Sequence, residues 1–136
     1  MVGRINWRLR VFRSVAPMSL PATGQILVIA PAADLRNSVR FALEAEGYRV
    51  TTRESLEGGL PPRPSYGCIV LDQHAVDADR EAARQLAVKF RPVVLLANTA
   101  SHPLSSLMFR TVLKPMLGAA LASAVKDALG ARIDPT

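Results

Sequence analysis

Apolar residues in this chain gather into five short segments separated by stretches with helical spacing. The segments cover residues 26–29, 48–52, 67–71, 93–96 and 110–113, and their polar or turn-forming borders predict five strands. After the first, Leu35, Val39 and Leu43 recur every four residues while Arg36, Arg40 and Glu44 face water. That spacing predicts a helix with Asp34 as N-cap, running through Glu46 and stopped by Gly47. After the second strand, residues 55–60 have room for a turn or two of helix before Pro61, Pro62 and Pro64. Asp77 or Asp79 can cap a helix to Phe90 whose buried face is Ala82, Leu86 and Phe90. Residues 98–109 read as loop, with space for a short helix only over 104–109. In the last helix Leu117, Leu121, Val125 and Leu129 form a core stripe, with Gly130 at its end. Strands that are continuous apolar runs and alternate with helices predict an α/β fold, a five-stranded parallel sheet with helices on both faces, its second and fourth helices shortened.

A chain of 136 residues, 49% hydrophobic and 21% charged, suits one globular domain with a real core. The regular pattern occupies residues 25–130, leaving 131–136 as a tail. No apolar run is long enough to cross a membrane. Cys68 is the chain's one cysteine; it lies in a predicted buried strand, where it reads as a small core hydrophobe, and a reducing cytoplasm fits it best. The net charge of +6 is mostly local, because Arg4, Arg8, Arg10 and Arg13 precede any acid. From residue 14 onward 13 Lys+Arg face 11 Asp+Glu, so the body has no basic face for nucleic acid, and no aromatic platform stacks bases. Residues 1–24, with Trp7, Phe12, Pro17 and Pro21, read as a basic appendage that folding does not need: a disordered arm, or sequence upstream of a start at Met18. A functional arm or membrane-surface helix is the competing reading, against which the apolar residues alternate by two rather than by 3.6.

Two residues then carry the chemistry. Asp72 closes the third apolar run, and Lys114, followed by Pro115, closes the fifth, 42 positions later. In a parallel sheet both strand ends open on one crevice, so an Asp and a Lys placed there share a pocket. Five βα units with Asp ending the third strand and Lys-Pro ending the fifth resemble the response-regulator receiver family over residues 25–130. The resemblance implies a flavodoxin-like, doubly wound fold, Asp72 as the position that accepts a phosphoryl group from a histidine kinase, and Lys114 as the cation that pairs with the phosphate.

The same resemblance exposes departures. Where the family has two adjacent acids after strand one, this chain has Ala30-Pro31; where it has Thr or Ser after strand four, Ala97; where it has the switch aromatic, Thr111. The Met-Pro of the acceptor loop is replaced by Ala75-Val76, and only 17 positions separate Ala97 from Lys114, which shortens the fourth helix. Mg²⁺ needs oxygen ligands, and Asp72 alone is a poor site, so metal binding is expected to be lost or weak, with no other cofactor. Asn98 or Thr99 can supply the missing hydroxyl or amide only after a register shift.

The remaining polar residues have plain readings. His74 beside the pocket can be a phosphoryl or metal ligand but reads first as a polar rim residue, His102 before Pro103 is assigned nothing, and Asp72 with Lys114 can equally be a structural ion pair. No glycine-flanked elbow supports a serine triad, and Gly58-Gly59 leads into prolines rather than into a phosphate-binding helix. The expectation is a degenerate receiver, not an enzyme, cytoplasmic and without an attached output domain. It acts through protein contacts with a histidine kinase, an output protein or a second copy. A working single-domain regulator phosphorylated on Asp72 is the first alternative, and a small flavodoxin-like ligand-binding domain the second.

Overall fold

The computed structural model of the chain describes residues 24–58, 66–90, 92–114 and 118–133. The basic segment 1–23, the prolines of 61–64, Leu117 and residues 134–136 lie outside them. Strands β1 (Gln25–Ile29), β2 (Arg49–Arg53), β3 (Cys68–Asp72), β4 (Val93–Ala97) and β5 (Arg110–Leu113) form one sheet in the order β2-β1-β3-β4-β5. Every pairing is parallel. The chain therefore winds outward from β1 to one edge, returns to β3 and winds to the other. That reversal opens a crevice between β1 and β3 at their carboxyl ends, where such sheets place ligands and reactive groups.

Helices α1 (Ala33–Ala45) and α4 (Gly118–Ile133) cover one face, burying Val39, Leu43, Leu121 and Val125 against Ile26, Val28, Val70 and Leu96. Helices α2 (Gln73–Ala78) and α3 (Arg80–Lys89), with a 3₁₀ turn over Ser105–Leu107, cover the other, burying Val76, Leu86 and Phe90 against Leu27, Ile29, Ile69 and Leu95. Strands β3 and β4 are buried at every position, because helices on both faces leave no side of the pleat to water. Cys68 is buried within this core.

Local details depart from the sequence expectation. The N-cap of α1 is Ala32, with no side-chain hydrogen bond, and Asp34 sits in the first turn instead. Gly47 does end that helix, at φ +97°, a left-handed conformation that costs a glycine little. The described residues after β2 form bends and a turn at Gly58, φ +96°, not a helix. The expected helix to Phe90 is α3, with Asp79 as its cap accepting from the Ala82 N–H at 3.1 Å, and a further short helix, α2, begins directly after Asp72. The buried face of α3 is accordingly Ala83, Leu86 and Ala87, with Ala82 only half-buried. The fourth crossover keeps a single 3₁₀ turn, and α4 continues through Gly130 to Ile133.

Candidate functional site

The crevice is built on the last residue of β3. Asp72 is extended (φ −80°, ψ 144°) and caps α2, and its side chain is only 1% exposed. Oδ2 accepts the His74 backbone N–H at 2.9 Å and lies 3.0 Å from His74 Nδ1. Since an ionised carboxylate only accepts, Nδ1 carries the proton and Nε2 is left with the lone pair of the neutral ring. The imidazole itself is 61% exposed. Lys114 reaches the other oxygen, with Nζ 2.7 Å from Oδ1. Its approach lies outside hydrogen-bond directions, leaving Oδ1 without a directed donor, so the contact is an ion pair held by charge and proximity. Lys114 is placed by the sheet: its backbone N–H donates to the Ala97 carbonyl at 2.9 Å, continuing the β4–β5 ladder one residue past the strand.

The other positions singled out by sequence fall around this pair. Ala30 is fully buried at the end of β1, and Pro31 is exposed beside it. Arg36, expected to face water, is half-buried and turns back from α1 so that Nη1 donates to the carbonyls of Ala30 at 2.9 Å and Pro31 at 3.1 Å. A guanidinium therefore stands over the end of β1. Ala97 ends β4, buried, and the following Asn98 N–H donates to Gln73 Oε1 at 2.6 Å, tying the α2 start to the β4 end. Thr111 lies on β5 opposite Leu95, half-buried on the outer edge of the sheet and not in the Asp72–Lys114 contact. Among the described residues, no three of His, Cys, Asp or Glu gather closely enough to hold a metal.

A second histidine pair lies farther along the same rim. His102, its side chain only 5% exposed, has Nε2 2.9 Å from Asp77 Oδ1, while its Nδ1 accepts the Leu104 N–H at 3.2 Å. The Leu104 donor fixes the proton on Nε2 in the neutral ring. This bond above all, with the charge of Arg80 behind it, lowers the Asp77 carboxyl below its ordinary 3.8. The link fastens α2 to the loop that replaces the fourth helix. Sequence reasoning assigned His102 and Gln73 nothing, because each finds its partner 25 residues away.

Solved structures share this fold. A response-regulator receiver domain from Clostridium thermocellum superposes at a TM-score of 0.66, 19% identical, over 81% of this chain and 97% of its own. The chain has the fold of a response-regulator receiver domain. This receiver fold is shared at a TM-score of 0.64 with the receiver of a Pseudomonas aeruginosa sensor histidine kinase, 20% identical over 79% of this chain and 98% of that one, in which a magnesium ion is coordinated in the active-site cleft. Full-length FixJ from B. japonicum superposes at 0.65, 23% identical, over 85% of this chain and 61% of its own. In sequence, the transcriptional regulator protein FixT of Rhizobium meliloti is 29% identical over 103 residues, 75% of this receiver-like chain and 90% of that protein. No family model matches.

Proposed function

We propose that this receiver fold serves two-component signalling as a pseudo-receiver, acting through protein contacts without Mg²⁺-dependent phosphorylation of Asp72. One observation carries the reading: a 1%-exposed carboxylate with both oxygens engaged, Oδ2 by His74 and Oδ1 by Lys114. A phosphoryl acceptor has to present a free oxygen to its donor and offset the charge that develops on the transferred group, a task that receivers give to a metal. The residues here do not fit one. Ala30 and Pro31 bring no side-chain oxygen, and the carbonyls they do bring accept from the Arg36 guanidinium, whose charge opposes a divalent cation at that end of the crevice. The magnesium-holding kinase receiver is thus a relative in fold whose cleft chemistry does not carry over.

The partner is a protein, a histidine kinase or an output protein, with a second copy as a further candidate, in the cytoplasm. Two features support this. The 3₁₀ turn that stands in for a fourth helix leaves Phe109 and Leu113 exposed along β5. Among the described residues no helix is long and apolar enough to cross a membrane. With Ala97 and Thr111 in place of a hydroxyl and an aromatic, phosphorylation would make no differential contact through which to shift conformations, so binding is constitutive. A working regulator phosphorylated on Asp72 is the competing reading, favoured by the Lys114 contact itself.

Magnesium titration tests the proposal. The wild type is expected to show no saturable binding at sub-millimolar metal, and Ala30→Asp with Pro31→Asp should create it. Saturable binding in the wild type that disappears in Asp72→Asn would overturn the reading.

A further inference from the structure

The pairing that occupies Asp72 leaves a different nucleophile at the rim. We infer that His74 Nε2, presented to solvent by the buried Asp72 carboxylate, is a phosphoryl-acceptor site for small phosphoramidate-type donors and for N-phosphorylated side chains of partner proteins. The inference rests on the reading that Asp72 is not itself the acceptor.

Three observations converge on it. The ring is anchored at one nitrogen only, Nδ1, 3.0 Å from Asp72 Oδ2, while the same oxygen accepts the His74 backbone N–H and so fixes the residue at both ends. No other described group bonds the ring, whose side chain is 61% exposed, so Nε2 and its lone pair are unengaged among the described residues. Behind it, the buried carboxylate is paired with Lys114, whose Nζ lies 2.7 Å from Oδ1. A histidine whose far nitrogen donates to a carboxylate is locked into one tautomer and one orientation, and positive charge that develops on the ring meets a fixed negative partner. The other histidine has neither property: both of its nitrogens are engaged and its ring is buried.

The transfer balances without a metal. The Nε2 lone pair of the neutral ring attacks phosphorus, an N–P bond forms and the donor's N–P bond breaks. With phosphoramidate, whose nitrogen is already protonated, the leaving group departs as ammonia. The Nδ1 proton stays in its bond to Asp72, whose charge offsets the cationic phosphorylated ring. Asp72 is a positioning residue in this step, since it touches His74 and Lys114 but not the phosphoryl donor.

The experiment treats the full chain with phosphoramidate, with and without Mg²⁺, and maps the adduct by mass spectrometry and ³¹P NMR. The expected result is an acid-labile, alkali-stable adduct on His74, on Nε2 alone, absent from His74→Gln, and formed about tenfold or more faster than on the same residue of the urea-unfolded chain. In a folded Asp72→Asn the rate should fall to the unfolded value and both ring nitrogens should react, a change of regiochemistry that a merely structural role does not produce. Equal rates in folded and unfolded chains, a mixture of isomers in the folded wild type, or no adduct at all overturns the inference and leaves the pseudo-receiver reading standing. A hydroxylamine-sensitive, Mg²⁺-dependent adduct on Asp72 overturns both.

Discussion

The two histidine–carboxylate pairs on the rim are inverses of one another. In the first the carboxylate is buried and the imidazole exposed, 1% against 61%; in the second the imidazole is buried and the carboxylate exposed, 5% against 39%. The lengths are nearly equal, 3.0 Å and 2.9 Å, so contact distance does not distinguish them. Burial does. A buried charge must be compensated from within, which recruits Lys114 and turns Asp72 into a structural centre that presents its histidine outward. A buried neutral ring needs its two nitrogens satisfied, which recruits Leu104 and turns His102 into a latch between α2 and the loop before β5.

Removing the charge that compensates the buried member strikes this contrast hardest. Lys114→Met leaves the Asp72 carboxylate with no cation among the described residues, and is expected to lower stability by about 3 kcal/mol in urea denaturation. Adding Asp72→Asn should recover part of that loss, a coupling of about 1 kcal/mol or more. Strict additivity would show that the two side chains do not depend on each other.

Next in size is the difference between the histidines. His102→Ala strands the Leu104 N–H and opens a gap in the rim, at a cost of about 1–3 kcal/mol, whereas the exposed His74→Ala should stay within about 0.5 kcal/mol. Similar losses at both positions would erase the distinction between latch and presented group.

The smallest effect is a pH dependence belonging to the second pair. Because the folded state lowers the Asp77 carboxyl, its stabilisation is present above the ordinary value of 3.8 and lost as pH falls through the lower folded value. The stability gap between wild type and Asp77→Asn should therefore be level above about pH 4 and narrow below it. A gap that widened on acidification would mean that the carboxyl is raised instead. Asp77 is exposed enough that solvent screening keeps the effect small.

How much of this was legible in the sequence depended on the range of the interaction. The strands were, because a parallel strand buried on both faces reads as an unbroken apolar run, as in Val93 to Ala97. The Lys114–Asp72 meeting followed from strand ends sharing one rim. What escaped was either very short or very long in reach. Helix α2 has only six residues, too few to show a period, and it depends on Asp72 as its cap. Gly130 looked like a stop, yet packing of Leu121, Val125 and Leu129 carries α4 past it. Gln73–Asn98 and Asp77–His102 join elements across the sheet and leave no local trace. Arg36 was read as a solvated helix residue, because its role exists only once the β1 carbonyls are placed beneath it.

On the proposed reading Asp72 is an anion committed to Lys114 and His74 and not a metal-assisted phosphoryl acceptor. The most direct measurement is the intact mass of the full chain after incubation with acetyl phosphate and Mg²⁺, followed by hydroxylamine. The wild type is expected to show no hydroxylamine-sensitive mass increase, and Asp72→Asn none. A stoichiometric increase that hydroxylamine removes, that requires Mg²⁺ and that Asp72→Asn abolishes would contradict the reading.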